Sequence, residues 1–186
     1  MESIKEKEKK VFEIMKKEFG YTNSIEAPRF VKVIVSSGVG SVKDKDKIKL
    51  IGDRLSKITG QKPSVCPAKK SVASFKVRQG DVVGYQVTLR GDRMFSFLYK
   101  LISIAMPRSK DFRGIPRECL DEMGNITIGI KEHTVFPETL DEELKDIFGL
   151  SITMVTTAKS KEEAIKFFEY VGFPFKRSTK NKVIYS

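Results

Sequence analysis

Phe30-Val31-Lys32-Val33-Ile34-Val35 is the stretch of sequence that decides the fold. A nearly continuous run of β-branched and aromatic residues predicts a strand in the middle of a sheet. Ser36-Ser37-Gly38-Val39-Gly40 follows directly, and we expect the strand to stop there. The fold should therefore be organised around a sheet with residues 30–35 near its centre.

Helical and strand-like patterns alternate outward from this segment. Apolar residues three and four apart predict helices over residues 3–18 and 44–58, each followed by a glycine suited to end it. Residues 82–90 alternate between apolar and polar side chains, which predicts a strand with one face open to solvent or a partner. Further strands are expected around residues 126–130 and 152–156.

Two more helices are predicted from capping and breaking residues. Asp92 is expected to cap a helix over residues 93–105, which Pro107 should stop. Ser160 and Glu163 form a capping-box pattern that opens the last helix, and Gly172 ends it.

Strands and helices are interspersed without strict β-α-β repetition. We therefore expect an α+β fold, with a mostly antiparallel sheet covered by helices on one face and with extended basic loops. Residues 1–177 should form a single domain, and residues 178–186 a flexible C-terminal tail.

Charge favours a polyanionic partner. The 186 residues carry a formal net charge of +11. The charge is concentrated in residues 61–117, which hold 12 basic and 3 acidic side chains, whereas residues 118–186 hold 9 basic and 12 acidic ones. A region with so few acids is typical of phosphate binding, because solubilising charge runs usually mix both signs.

Several classes of protein are excluded by the sequence. No apolar run approaches the roughly 18 to 20 residues of a membrane span, and no signal-peptide pattern is present, so we expect a cytoplasmic protein without membrane contact. Cys66 and Cys119 have no neighbours at ligand spacing, which argues against a disulfide or a metal site. No cofactor or small-molecule substrate is indicated.

Catalysis has little support. His133, the single histidine, has no nucleophile motif beside it and is expected to be a half-buried structural or surface residue. One alternative is a nucleic-acid-processing enzyme that uses Asp81, Asp92 or Asp111 of the basic third. Another is an RNA chaperone without a fixed target.

Cations surround an aromatic residue in the segment from Gln61 to Gly80, which we expect to be an extended basic loop or a loose hairpin. Phe75 stands among Lys70, Lys76 and Arg78, a pattern typical of RNA contacts. A similar arrangement surrounds Phe112 in the segment from Pro107 to Pro116. The alternative is that each phenylalanine anchors its loop in the core.

Long ordered strings of residues resemble a known family. They include Gly60-Gln61-Lys62-Pro63, Ala68-Lys69-Lys70-Ser71-Val72-Ala73-Ser74-Phe75-Lys76-Val77-Arg78-Gln79-Gly80 and Val87-Thr88-Leu89-Arg90-Gly91-Asp92-Arg93-Met94. Asp111-Phe112-Arg113-Gly114, Val135-Phe136-Pro137-Glu138 and Thr156-Thr157-Ala158-Lys159 continue the likeness over nearly the whole chain. The sequence resembles universal ribosomal protein five of the large subunit, in its bacterial form.

The resemblance implies a non-enzymatic protein of the central protuberance. Its expected partners are 5S rRNA, 23S rRNA, the peptidyl-site (P-site) tRNA, neighbouring large-subunit proteins of the 5S particle and a basic protein of the small-subunit head. The family position of Ser36 usually holds Asn, so this chain departs from the pattern there, although a serine hydroxyl also forms hydrogen bonds.

The resemblance and the charge pattern together predict three groups of contact residues. For 5S rRNA they are Ser36, Gln61, Lys62, Thr88 and Arg90. For tRNA they are Lys69, Lys70, Ser71, Phe75, Lys76 and Arg78, in a loop expected to be mobile in the free protein. For the small subunit they are Glu138, Asp141, Glu142 and Glu143.

Overall fold

A computed structural model of the chain describes residues 3–42, 44–110, 112–139 and 147–176. Its strands are β1 (Phe30–Gly38), β2 (Ser64–Pro67), β3 (Val82–Leu89), β4 (Ile126–Ile130) and β5 (Leu150–Thr156). They form one antiparallel sheet in the order β2-β3-β1-β5-β4. The prediction that residues 30–35 occupy the central strand is confirmed.

The helices in the described part of the chain are α1 (Ile4–Phe19), α2 (Lys45–Thr59), α3 (Gly91–Lys100), α4 (Met106–Arg108) and α5 (Lys161–Val171). A π-helical stretch, Leu101–Ala105, joins α3 to α4. None of these helices has the length and apolarity needed to cross a bilayer. The predicted α+β class, with an antiparallel sheet and helices on one face, is confirmed.

Alternation along β1 separates the two faces of the sheet. Val33, Val35 and Ser37 are buried, whereas Ile34 and Ser36 between them are half-exposed. The buried face joins a single core cluster with side chains of all four longer helices, such as Val11, Leu55, Leu98 and Phe168. Because strand side chains alternate strictly, the opposite face is left for other contacts.

Helices α1 and α5 close over the start of β1. The Phe30 ring lies 4.9 Å from the ring of Phe167 and 5.8 Å from that of Phe168. The Tyr21 hydroxyl, just after α1, donates a hydrogen bond to the buried Glu163 carboxylate of α5. Burial, and to a smaller extent the hydrogen bond to this carboxylate and its charge, raises the pKa of Tyr21 well above its ordinary value.

The start of α5 confirms half of the predicted capping box. The Ser160 hydroxyl accepts a hydrogen bond from the Glu163 N–H at 3.3 Å. The Glu163 carboxylate does not complete the box, because it accepts instead from the Lys159 N–H at 2.7 Å and from Tyr21. The carboxylate therefore ties α5 to the chain that follows α1.

Two predictions about α3 are wrong. Its N-cap is Arg90, and Asp92 lies within the first turn, where it accepts a hydrogen bond from Lys5 at 2.7 Å. Pro107 does not stop the helix but lies within α4. The Met106 N–H donates to Leu101 O five residues back, so the widened turn accommodates a proline that a regular helix would reject.

Strand boundaries also differ in two places. β1 continues through Ser36 and Ser37 to Gly38, because both serines pair with β3 and Ser36 also pairs with β5. Residues 64–67, expected to be part of a loop, form β2 at the edge of the sheet. The division at residue 177 stays a prediction, and the tail over residues 178–186 lies outside the described residues.

Gly124 supplies a test of packing between the turn before β4 and α5. Its φ is +76°, and a Cβ there would lie 2.7 Å from Ala158 Cβ and 3.2 Å from Ala164 Cβ. We expect Gly124→Ala to lower the free energy of unfolding by about 3 kcal/mol, through backbone strain and overpacking. Urea denaturation measures this change. Gly129→Ala, where a Cβ meets nothing within 4 Å, is the control, and equal losses in the two variants would contradict the packing argument.

Glu8 gives the fold a pH dependence. Its Oε1 accepts from the Phe30 N–H at 2.6 Å, and burial raises the pKa of the carboxyl against the opposing effects of that N–H and of Arg29. A raised folded-state pKa means that stability present below the unfolded pKa is lost as pH rises through the folded value. Glu8→Gln keeps an acceptor and removes the titration. Its stability relative to wild type should therefore increase between about pH 4 and about pH 7.

Denaturant unfolding at both pH values measures this difference. The same substitution at Glu13, an exposed residue of α1, controls for the change in net charge. A stability difference between Glu8→Gln and wild type that is independent of pH would contradict the assignment.

Candidate nucleic-acid interface

The face of the sheet opposite the core carries mostly small, uncharged residues, and Lys32 of β1 is the one charged residue within the described strands. Strand register aligns Ser64, Gln86, Ser36, Ser151 and Gly129 in one row across all five strands. A second row holds Thr88, Ile34, Thr153 and Thr127, in which the Thr127 and Thr153 hydroxyls lie 3.1 Å apart. Among the described residues, the five helices lie on the other face, so these side chains are not covered by a helix.

A locked turn after α2 places Gln61 at the end of β3. Gly60 adopts φ 68°, and the Thr59 hydroxyl lies within hydrogen-bond distance of Leu55 O at 2.7 Å and Gln61 O at 3.1 Å. The Gln61 side-chain amide then donates to Thr88 O at 3.4 Å. Two of the predicted 5S contact residues are therefore in direct contact.

The other three predicted 5S residues border this contact. Ser36 pairs with Gln86 on the neighbouring strand, which makes it a diagonal neighbour of Thr88 on the same face. Lys62 follows Gln61 and is exposed, and Arg90 follows β3 and is also exposed. The five residues form one corner of the sheet, with neutral side chains on its surface and cations at its margin. We call this corner together with the polar face the sheet surface.

Sequence reasoning misses much of the sheet surface. It places Ser64 in a loop rather than a strand, and it does not include Ser151, Thr153 or Thr127 among the contact residues. The period-two alternation of apolar residues with Thr127 and Gly129 in β4, and with Ser151 and Thr153 in β5, is the signal that could have found them.

The basic loop, residues 68–80, has internal order. Its base is closed by hydrogen bonds from the Ala68 N–H to Asp81 O at 2.8 Å and from the Gly80 N–H to Ala68 O at 3.0 Å. Val72 and Val77 exchange a pair of backbone hydrogen bonds further out. The expected loose hairpin is therefore a closed one, and its mobility in the free protein stays a prediction.

Side chains of the basic loop face outward. Phe75 is 77% exposed, so the alternative that it anchors the loop in the core is wrong. Lys69, Lys70, Lys76 and Arg78 are exposed or half-exposed as well. The Ser71 side chain also holds the two sides of the loop together, because its hydroxyl accepts a hydrogen bond from the Gln79 N–H at 2.9 Å. The loop presents an aromatic face among cations, the combination that binds single-stranded nucleic acid.

Phe112, in the second basic segment, is neither fully exposed for RNA contact nor fully buried as an anchor in the core. It is 37% exposed and lines a cavity of about 300 Å³ beside Ile115 and Ile128. Its ring therefore serves partly as packing.

The two described acids of the basic third, Asp81 and Asp92, form local contacts. Asp81 accepts from the Arg78 N–H at 2.8 Å, and the hydrogen bond and ion pair with Lys5 lower the pKa of Asp92, which is fully exposed. Asp111 lies outside the described residues. Among the residues that are described, no group of three or more His, Cys, Asp or Glu side chains is arranged to hold a metal.

His133 is more buried than expected. It is 1% exposed, its ring stacks 4.2 Å from that of Phe148, and its Nδ1 accepts from the Phe148 N–H at 3.4 Å. These contacts give it a structural role in the core.

Glu138 is the one predicted small-subunit residue within the described part of the chain. It forms an ion pair with Lys100, which also donates to Ile58 O at 2.6 Å. Glu138 therefore holds the segment before residue 140 against α2 and α3. The other predicted residues, Asp141, Glu142 and Glu143, lie outside the described residues.

Comparison with known proteins gives the same family over the whole fold. The family model described as ribosomal protein L5 matches residues 23–78, and the model for the C-terminus of the same ribosomal family matches residues 82–175. The large ribosomal subunit protein uL5 of Kosmotoga olearia is 46% identical over 176 residues, which cover 94% of this chain and 96% of the relative. That of Natranaerobius thermophilus is 47% identical over 162 residues, which cover 87% and 90% of the two chains.

The uL5 of Thermotoga maritima is 45% identical over 171 residues, which cover 91% of this chain and 93% of the relative. Fold, charge and these matches define a ribosomal protein of the large subunit. The chain belongs to the ribosomal protein L5 family. The predicted family, its non-enzymatic class and its location in the ribosome of the cytoplasm are thereby confirmed.

Proposed function

We propose that the sheet surface binds 5S rRNA and that the protein thereby attaches this RNA to 23S rRNA in the central protuberance. The observation that carries the proposal is a sheet face rich in hydroxyl and amide side chains, without a helix over it in the described structure. Small polar groups allow an RNA backbone to approach closely, and they form hydrogen bonds with phosphates and 2′-hydroxyls.

Affinity and register come from different residues of the sheet surface. Lys62 and Arg90 are exposed at its margin and attract phosphates at long range. Gln61, Thr88 and Ser36 are neutral and half-buried, so their hydrogen bonds depend on a close fit. The cations therefore supply most of the affinity, and the neutral residues fix the position of the RNA.

The basic loop contacts the P-site tRNA in this proposal. Its exposed cations and the Phe75 ring suit an RNA backbone and a stacked base. Because every tRNA must be accepted, the contacts involve shared shape and backbone rather than particular base edges.

The acidic part of the chain faces a basic protein of the small-subunit head. The composition of residues 118–186 supports this, since their excess of acids is unsuited to RNA. Glu138 is held by Lys100, so the neighbouring Asp141, Glu142 and Glu143 are the main acids for this contact. Contacts with 23S rRNA and with neighbouring large-subunit proteins complete the set of partners.

Removal of the Thr88 hydroxyl and the Gln61 amide at the corner of the sheet tests the proposed 5S rRNA site. Thr88→Val keeps a β-branched side chain and removes the hydroxyl, and Gln61→Ala removes the amide. Together they should weaken 5S affinity by about thirtyfold, because each neutral hydrogen bond contributes about 1 kcal/mol. Titration of labelled 5S rRNA with bulk tRNA as competitor measures the loss.

One control variant and one charge variant accompany this experiment. Thr134→Val alters a half-exposed threonine outside the sheet and should leave affinity unchanged. Lys62→Ala should flatten the salt dependence of binding by about one phosphate contact. Full 5S affinity in the Thr88→Val, Gln61→Ala double variant would refute the site, and equal competition by bulk tRNA would favour an RNA chaperone.

Removal of charge from the basic loop tests the tRNA contact. Changing Lys70, Lys76 and Arg78 to Ala should spare folding and 5S binding, because these side chains lie away from the core and from the sheet surface. It should speed dissociation of P-site tRNA from assembled ribosomes. A triple change at the exposed Lys9, Lys131 and Lys161 removes the same charge elsewhere and should not. An unchanged dissociation rate in the loop variant would contradict the role.

A further inference from the structure

A cleft lies on the helix side of the sheet, away from the sheet surface. It has a volume of about 590 Å³ and separates the start of α2 from the base of the basic loop and from β3. We call it the lysine cleft. Its volume falls within the range of ligand pockets, about 300–1,000 Å³.

One wall of the lysine cleft is apolar and includes an aromatic ring. Tyr85 lies on the same face of β3 as the buried residues Val87 and Leu89, because every second residue of a strand shares a face. It therefore points away from the face that carries Thr88. Its ring packs on the backbone of α2 at Gly52, where a Cβ would lie 3.1 Å from Tyr85 Cζ. Ile48 and Val82 continue this wall. The ring is half-buried, lines the cleft and is backed by α2 at Gly52.

The rim of the lysine cleft carries cations from two elements. Lys45 and Lys49 are four residues apart on α2 and therefore share a face of the helix. Lys76 lines the cleft from the basic loop. It has φ 55°, and it is the only non-glycine residue with positive φ among the described residues. A lysine in this rarely adopted conformation is consistent with selection for its position.

One acid also lines the lysine cleft. Asp81 stands at the base of the basic loop, where its carboxylate accepts from the Arg78 N–H at 2.8 Å. Three lysines against one aspartate leave the lining positive. An apolar aromatic wall beneath a cationic rim matches one ligand chemistry closely, that of a flat heterocycle joined to a phosphate.

We propose that the lysine cleft binds one unstacked RNA nucleotide, with its base against Tyr85 and its phosphate on Lys45, Lys49 and Lys76. Base stacking on an aromatic ring and lysine contacts to phosphate are both tolerant of sequence, so all four nucleotides fit. The site is separate from the sheet surface, because Tyr85 and Thr88 lie on opposite faces of β3. It gives the protein a further point of attachment to RNA, which shares Lys76 with the basic loop.

An NMR titration of the full chain with GMP, AMP, CMP and UMP tests the chemistry of the ligand. Each nucleotide should bind about tenfold more tightly than inorganic phosphate or guanosine, because only the nucleotide contacts both wall and rim. Amide shifts should map to Val82, Val83 and the first turns of α2. Phosphate binding as tight as that of GMP would overturn the proposal, since it would reduce the site to charge alone.

Two variants test the two halves of the lysine cleft. Lys45→Ala with Lys49→Ala should weaken GMP binding by about tenfold, whereas Lys9→Ala with Lys161→Ala, which removes the same charge elsewhere, should not. Gly52→Ala should also weaken binding, because the added methyl displaces the Tyr85 ring. The lysine pair is exposed and leaves folding intact, so wild-type affinity in that variant would overturn the proposal.

Competition identifies the source of the nucleotide. A four-nucleotide single-stranded RNA should displace GMP, and a blunt RNA duplex without unpaired residues should not. Failure of the single strand, or equal displacement by the duplex, would overturn the proposal. Measurement of 5S affinity in the same variants distinguishes the cleft from the sheet surface. A variant that loses GMP binding and retains 5S affinity supports a separate site in the cleft.

Discussion

The two-residue alternation of β1 is the constraint on which the rest of the structure depends. β1 is hydrogen-bonded on both sides, so its register with β3 and β5 fixes which face each neighbouring residue occupies. A slip by one residue would put Ser36 into the core and Val35 on the surface. Because that exchange is so unfavourable, burial of Val33 and Val35 also holds the polar face in place. Core stability and the chemistry of the surface are therefore set by the same pairing.

Charge is added to this frame mainly at its margins. Lys32 is the one charged residue within the described strands, whereas the other cations near the sheet surface stand at the ends of strands and in the basic loop. Such an arrangement avoids like-charge repulsion within the sheet, where side chains stand directly opposite one another. Loops that carry lysines at the edge also leave those lysines hydrated until a polyanion arrives. Apart from Lys32, neutral residues therefore occupy the strands and charged residues the loops, because each position tolerates only that type of side chain well.

Sequence predicted those elements whose pattern is local. Helices α1 and α2 and strand β1 follow from spacing and capping residues within each segment. β2 was missed because four residues including a proline carry too little pattern, and it exists only through pairing with β3. Gln61 and Thr88 are indicated by the family resemblance, and the structure brings these two residues into contact. The pair of Lys100 with Glu138, and the lysine cleft, join segments distant in sequence, so no local signal could indicate them.

The position of β5 affects how the chain is made. β1 is synthesised early, yet one of its two partners, and the α5 helix that covers Phe30, come near the end of the chain. Synthesis runs from the N-terminus, so the central strand stays without its second neighbour until β2, β3 and β4 have been made. The row of side chains from Ser64 to Gly129 does not exist before that moment. A nascent chain therefore gains its complete polar face only after β5 has been made, which separates synthesis of the first four strands from incorporation into a particle.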